Sequence, residues 1–157
     1  MGKKTGKNPT DRGKLGVKRS VLIDGRGVPL AATVDGANVH DQKLLGATLD
    51  GVAVTRPAVS PYRRQHLCLD KGYAGEPIKQ EVRRRGYIPH VPAKGAPAST
   101  NHRRQGKARR WKVERTHSWV NRARRLLIRW EKKVANYLGF LHLQFATFAL
   151  RTAGVLG

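Results

Sequence analysis

Hydrophobic residues recur at helical spacing within the arginine-rich stretch of residues 109–127 and just beyond it. They fall on one stripe of a helix, which consists of Val113, Val120, Ala123, Leu127 and Trp130. This pattern predicts an amphipathic helix packed on a core. Glu114 lies at the edge of the stripe. Steps of three and four residues from it trace a polar file through His117 or Ser118, Asn121 and Arg125.

The N-terminal part of the chain predicts a lead-in followed by a β-hairpin. Residues 1–14 contain almost no apolar side chain, which predicts a flexible basic lead-in without an element of its own. Residues 18–24 have the composition of a strand, residues 24–27 that of a tight turn, and residues 29–35 that of the antiparallel return strand.

Helices with a buried face are predicted on each side of the middle of the chain. Residues 42–49 follow Asp41, a suitable N-cap, and their buried face should comprise Leu44, Leu45, Thr48 and Leu49. Residues 134–155 are apolar and predict a second buried helix, with Tyr137, Leu138, Phe140, Leu141, Leu143, Phe145 and Phe148 as its apolar residues. Residues 51–64 and 93–107 have loop composition, and the second of these loops is basic.

Between the loops, the pattern predicts a strand, a helix and a second strand. Residues 66–70 form a short apolar strand that ends at Asp70, and two glycines follow within five residues. Residues 76–85 predict a helix that Gly86 closes, and residues 87–92 predict a strand whose prolines suit an edge. Such a unit favours a parallel pair of strands and therefore an α/β fold.

Length and charge narrow the class of protein. The 157 residues correspond to one domain with a core of its own. Lysine and arginine total 32 against 10 acidic residues, a formal charge of +22 that makes nucleic acid the expected partner. No stretch approaches the roughly 20 apolar residues of a membrane-spanning helix. The single cysteine, Cys68, excludes an internal disulfide, so we expect a cytoplasmic protein without a cysteine-based zinc site.

Two of the ten acidic residues occupy positions where a carboxylate normally costs stability. Asp70 ends an apolar strand and Glu114 borders an apolar helical stripe. Asp24 belongs to an Asp-Gly turn, which favours a structural role, whereas Asp41 either caps a helix or, after His40, contacts a ligand. One alternative is that Glu114 only offsets nearby arginines. Two carboxylates that meet at a sheet edge can instead hold Mg²⁺ beside a phosphodiester.

Three blocks of the chain, residues 8–16, 69–73 and 110–116, together resemble the C-terminal part of a bacterial insertion-sequence transposase of the DDE class. The resemblance implies an RNase H-like mixed sheet flanked by helices. It also implies three acids that bind Mg²⁺ or Mn²⁺ for DNA cleavage and strand transfer. Asp70 would be the second catalytic, metal-binding acid and Glu114 the third.

The chain departs from that family pattern at three places. The first catalytic aspartate would lie upstream of the hairpin, so the fold should lack its first core strand, and an upstream transposase half would have to supply that acid. In the motif Tyr-x2-Arg-x3-Glu-x6-Lys, Arg110 and Glu114 are kept. Lys107 replaces the tyrosine and Asn121 replaces the lysine. The fragment would therefore be inactive alone, and the alternative is a non-catalytic DNA-binding remnant or regulator of transposition.

The same interpretation treats residues 1–157 as one partial catalytic domain. The protein would be associated with the bacterial nucleoid and would be a homo-oligomer when active. It would bind transposon ends and target DNA mainly through phosphate contacts. The predicted DNA-binding residues are Lys71, Arg110, Arg115, Asn121, Arg124 and Arg125. Trp111 and Trp119 either stack on a frayed base or belong to the core.

Overall fold

A computed structural model describes residues 4–92 and 110–156, except for the side chain of Arg110. The strands are β1 (Gly6–Lys7), β2 (Leu15–Ile23), β3 (Pro29–Gly36), β4 (Gln65–Cys68) and β5 (Tyr87–His90). The helices are α1 (Asp41–Asp50), α2 (Glu76–Arg84), α3 (Arg110–Asn121), α4 (Arg124–Leu127) and α5 (Val134–Thr152), and a 3₁₀ turn spans Lys71–Tyr73. The α/β class is therefore confirmed. The predicted loop 93–107, and with it Lys107, lies outside the described residues.

The predicted hairpin forms from β2 and β3, which pair antiparallel from Val17 opposite Gly36 to Ile23 opposite Pro29. Asp24 closes its turn, because Oδ1 accepts hydrogen bonds of 2.8 Å from the backbone N–H groups of Arg26 and Val28. Gly27 has a φ of +94°, a conformation that favours glycine. The structural interpretation of Asp24 is thus confirmed.

The lead-in contains an element that its composition did not predict. Gly6–Lys7 forms β1, which pairs antiparallel with β2 through Gly6 opposite Gly16 and Lys7 opposite Leu15. Gly6 is buried, and an added Cβ there would collide with the side chain of Asn38. The absence of a side chain at Gly6 allows this close approach. Because the strand forms without apolar side chains, the hydrophobic pattern did not predict it.

The strand–helix–strand unit is confirmed. β4 and β5 pair parallel from Gln65 opposite Tyr87 to Cys68 opposite His90. α2 connects them and ends before Gly86, which has a φ of +77°. Asp70 lies two residues beyond the last residue of β4, as the sequence predicted for a carboxylate at the carboxyl end of this strand.

The strands of the described residues form two sheets rather than the single mixed sheet that we expected. β1, β2 and β3 make one, and β4 and β5 make the other. Within the described part of the chain, β2 from Val17 to Ile23 has a paired neighbour only in β3, and β4 has one only in β5. Each sheet therefore presents an open strand edge.

The hairpin carries a hydrophobic cluster on each face. Leu22 packs on the side of α1, α2 and β4, where the buried residues are Leu45, Leu49, Leu67 and Val82. Val17 and Val21 pack on the side of α3, α4 and α5, where the buried residues are Val34, Val120, Leu126, Tyr137, Leu141 and Phe145. Because successive side chains of β2 point to opposite faces, this one strand contributes to both hydrophobic clusters.

Three details of the predicted helices were wrong. The N-cap of α1 is His40, whose side chain accepts from the N–H of Gln42, and Asp41 lies in the first turn, where it pairs with Lys18 at 3.3 Å. The predicted buried face of α1 is confirmed in full.

The helix at 109–127 breaks after Asn121, which buries Leu126 and leaves Leu127 and Trp130 exposed. On α5, Phe140 and Leu143 are exposed.

Candidate active site and nucleic-acid interface

Asp70 is held at the end of β4 by a local cap. Its Oδ1 accepts a hydrogen bond of 2.8 Å from the N–H of Gly72, and the 3₁₀ turn Lys71–Tyr73 follows. The carbonyl of Gly72 accepts from Nε2 of Gln42 at 2.7 Å, which ties this loop to α1. The side chain of Asp70 is exposed. A carboxylate that is both oriented and open to solvent is available to a ligand.

Glu114 is exposed on α3, a helix whose position is fixed by the hairpin turn. Three donors of α3 reach consecutive carbonyls of this turn. Nζ of Lys112 donates to Gly25. Nη2 of Arg115 donates to Arg26, and Oγ1 of Thr116 to Gly27, both at 2.9 Å. Thr116 is buried, so this contact sets the depth at which α3 lies on the sheet.

The two acids reside on elements that pack against opposite faces of the β2–β3 hairpin. The turn that contains Asp70 contacts α1, and α1 packs on the face of Ser20, whose hydroxyl lies 2.8 Å from that of Thr48. α3 packs on the other face, with Val120 in the cluster that contains Val17 and Val21. The approach of the two carboxylates to one ion therefore stays a prediction.

The described part of the chain does not contain a complete set of metal-binding side chains. No group of three or more histidine, cysteine, aspartate or glutamate side chains there is placed to hold a metal ion. Asp70 and Glu114 have the oxygen ligands that Mg²⁺ prefers, but two side chains alone do not fit the three-acid centre that the family pattern implies.

The predicted DNA-binding residues divide into two groups. Arg115 stacks over Trp111 and Trp119, Asn121 accepts from Arg19, and Arg125 pairs with Glu131, so all three have partners within the chain. The side chains of Lys71 and Arg124 are exposed and have no hydrogen-bond or ion-pair partner among the described residues. The side chain of Arg110 is not described. Lys71 and Arg124 are thus the better placed of these residues for phosphate contacts.

The two tryptophans have different surroundings. Trp119 packs against Phe148, with ring centroids 4.5 Å apart, as a core residue would. Trp111 is 50% exposed. The guanidinium of Arg115 lies 4.8 Å from the ring centre of Trp111 and 5.3 Å from that of Trp119. The core interpretation suits Trp119, whereas Trp111 remains accessible to a stacking ligand.

A polar network that sequence reasoning missed lies beneath α3. Arg19 projects from the same face of β2 as Val17 and Val21, and its Nη2 donates to Oδ1 of Asn121 at 2.6 Å. Its Nη1 is buried and has no partner within the described residues. The signal was present in the sequence, because strand alternation places Arg19 between two inward-facing valines.

His117 adjoins this network, and its surroundings disfavour the charged form. Burial lowers the pKa of His117 below its ordinary value, and the positive charge of Arg19 lowers it further. The imidazole should therefore be neutral at physiological pH. Protonation of His117 would add a second positive charge beside Arg19 in a partly buried setting, which would weaken the packing of α3.

Comparison with known proteins identifies the family. The family model described as "Transposase DDE domain" matches residues 1–148. The chain belongs to this family of DDE transposase domains. The resemblance noted in the sequence is thereby confirmed.

One similar protein from Burkholderia cepacia is named "Putative transposase for insertion sequence element IS402". It is 38% identical to this DDE domain over 142 residues, which is 89% of the present chain. The chain spans 65% of that relative's length. No solved structure matches. Along the described residues, no helix of this transposase domain is long and apolar enough to cross a membrane.

Proposed function

We propose that this chain is the C-terminal part of an RNase H-like DDE catalytic domain that acts in DNA transposition through cleavage and strand transfer. The observation that carries the proposal is the pair of open edges on β2 and β4. Leu67 of β4 is buried in the hydrophobic cluster against which Leu22 of β2 packs, so the two strands border one core. A strand added between them would unite the antiparallel and parallel sheets into one mixed sheet.

The missing strand is also where the family pattern places the first acid. Asp70 follows β4, and Glu114 lies on α3, which docks on the hairpin that contains β2. An aspartate on a strand between β2 and β4 would stand between the elements that hold the other two. In this proposal Mg²⁺ or Mn²⁺ is the cofactor, and the complete acid set forms only when an upstream segment is present.

DNA is the proposed partner of the basic surface. The formal charge of +22 favours a polyanion, and Lys71 is adjacent to Asp70 in the chain. Phosphate contacts by Lys71 and Arg124 would position transposon ends and target DNA without reading their sequence. Homo-oligomerisation and association with the nucleoid belong to the same proposal.

A second function has one observation in its favour. Because the described residues gather no three-acid cluster, the chain by itself would act as a non-catalytic DNA binder. Such a binder would compete for transposon ends and so regulate transposition. Both functions predict salt-sensitive DNA affinity, so binding alone does not separate them.

The test is nicking of supercoiled plasmid DNA in Mg²⁺ or Mn²⁺, with EDTA as the metal-free control. The chain is assayed alone and joined to the part of the Burkholderia relative that it does not cover. We expect metal-dependent nicking only from the joined protein, and Asp70→Asn or Glu114→Gln should reduce it to background. Asp11→Asn and Glu76→Gln are matched controls, because both acids are exposed and pair with nearby cations.

Two results would contradict the catalytic proposal. If the joined protein binds DNA without metal-dependent nicking, only the regulatory function remains. If nicking persists in Asp70→Asn and Glu114→Gln, the activity resides in other residues.

A further inference from the structure

Two histidines face each other across the parallel strands β4 and β5. Nδ1 of His66 lies 2.7 Å from Nε2 of His90, and the ring centroids are 4.9 Å apart with an angle of 29° between the planes. His66 is opposite Ile88 in the register, and His90 is opposite Cys68, so the two histidines are diagonal neighbours. Two ring nitrogens therefore meet on one face of the β4–β5 pair.

The pair lies on the face of the small sheet away from its hydrophobic cluster. Leu67 is buried in that cluster and Leu69 packs against it. Strand alternation puts His66 and Cys68 on the opposite face. Both His66 and Cys68 are exposed, and His90 is half-buried. A small ion could reach the two imidazoles without any change in the core.

We propose that His66 and His90 form a two-histidine site for Zn²⁺ or a similar divalent ion that prefers imidazole ligands. Such ions bind neutral imidazole, whereas Mg²⁺ prefers oxygen. Two nitrogens on one tetrahedral zinc, at about 2.0–2.1 Å each, would be separated by about 3.3 Å. The present separation of 2.7 Å needs to widen only by roughly 0.6 Å, a small side-chain rotation on an exposed face.

The alternative for the same geometry is a hydrogen bond between two neutral imidazoles, one as donor and the other as acceptor. This bond and the metal site use the same two nitrogens and exclude each other. No third histidine, cysteine, aspartate or glutamate converges with the pair in the described structure, so water would complete the coordination. Cys68, the single cysteine of the chain, is opposite His90 in the register.

A bound ion would cross-link β4 to β5. Asp70 lies two residues after the end of β4, and the N–H of the intervening Leu69 donates to the carbonyl of His90 at 2.9 Å, so both strands support the loop that holds Asp70. Zinc should therefore raise the thermal stability of the chain, because a ligand that binds only the folded state stabilises it. This inference does not depend on transposase activity.

The probe is Zn²⁺ alone, titrated calorimetrically into the full chain at neutral pH with Cys68 kept reduced. We expect one zinc per chain and a rise in Tm, while Mg²⁺ should produce neither. His66→Gln and His90→Gln should each weaken binding by about tenfold or more, since loss of even an outer-shell partner costs about 10–100-fold. His142→Gln is the matched control, because His142 is an exposed histidine on α5.

Circular dichroism establishes that each variant is folded, and the Tm of the unaltered chain gives a readout that needs no substitution. Absence of saturable zinc binding and of any zinc-dependent rise in Tm would overturn the proposal. Zinc binding that survives in His66→Gln and is lost in Cys68→Ser would also overturn it, because the thiol would then be the ligand.

Discussion

The two hydrophobic clusters share the β2–β3 hairpin but are assembled from different parts of the chain. The cluster beside β4 (the local cluster) takes its buried residues from positions 45–82, the shorter span of the chain. The cluster beside α5 (the non-local cluster) joins Val34 to residues as distant in the chain as Phe145. It also has polar neighbours, among them the buried Thr116 and the half-buried Arg19.

This difference bears on the two candidate acids. Asp70 depends on the local cluster, because its loop is tied to α1 and β4. Glu114 depends on the non-local cluster, because α3 docks through Thr116 and Val120. The distance between the two carboxylates therefore depends on the β2–β3 hairpin, on which both clusters pack. A change confined to one cluster should disturb one acid and leave the other in place.

The largest effect should come from a cavity in the non-local cluster. Leu141 has no exposed surface, so Leu141→Ala should lower the free energy of unfolding by about 2–5 kcal/mol. Val82 is equally buried in the local cluster, but Val82→Ala removes fewer atoms and should cost about 1–2.5 kcal/mol. Urea unfolding measures both changes.

Leu143→Ala is the control, because Leu143 lies on the same helix as Leu141 and is 64% exposed. Its effect should stay within about 0.5 kcal/mol. A cost for Leu143→Ala that equals the cost for Leu141→Ala would contradict the packing described for α5.

The next effect concerns the polar network of the non-local cluster. Asn121→Ala leaves Nη2 of Arg19 without its acceptor, and Nη1 is already buried without a partner. Loss of a hydrogen bond to a charged group should cost about 1.5–3 kcal/mol. In an Arg19→Met background the same substitution should cost much less, which a double-mutant cycle by urea unfolding measures.

Ser118→Ala is the matched control, since Ser118 is exposed on the same helix. If Asn121→Ala leaves stability unchanged but lowers DNA affinity, Asn121 acts as a DNA contact and the structural role is wrong.

Local chemistry accounts for the parts of the fold that the sequence predicted well. The hairpin followed from alternation and the Asp24 turn. The buried face of α1 followed from spacing, and β4, α2 and β5 followed from glycine punctuation. The position of Asp70 at a strand end was predictable for the same reason. Each of these features depends on residues within a few positions of one another.

Features that depend on distant contacts were not predictable in the same way. Leu126 and Leu127 are both apolar, and packing against distant residues such as Val34 and Tyr137 distinguishes the buried Leu126 from the exposed Leu127. The contact of His66 with His90 requires the register of two strands, which α2 separates in the sequence. Whether Asp70 and Glu114 share an ion depends on several such contacts and on a further acid.

A smaller effect should separate the two roles of Asp70 in the local cluster. Asp70→Ala removes the acceptor for the N–H of Gly72 and should cost about 0.5–2 kcal/mol of stability. Asp70→Asn keeps a capping oxygen and should cost less than about 0.5 kcal/mol. Equal destabilisation by both substitutions in urea unfolding would indicate that the charge, rather than the cap, holds this loop.

The smallest effect should be a pH dependence confined to the non-local cluster. The pKa of His117 is lowered by burial and by Arg19, so the unfolded chain binds the proton more readily than the folded chain. The stability that comes from neutral His117 is fully present above the unfolded pKa of about 6.5 and is lost as the pH falls through and below that value. His117→Gln should remove this part of the pH dependence, while His142→Gln, at an exposed position, should retain it. Urea unfolding of the three proteins between about pH 7 and pH 5 measures the difference. Parallel pH profiles for the unaltered chain and His117→Gln would mean that α3 does not desolvate this imidazole.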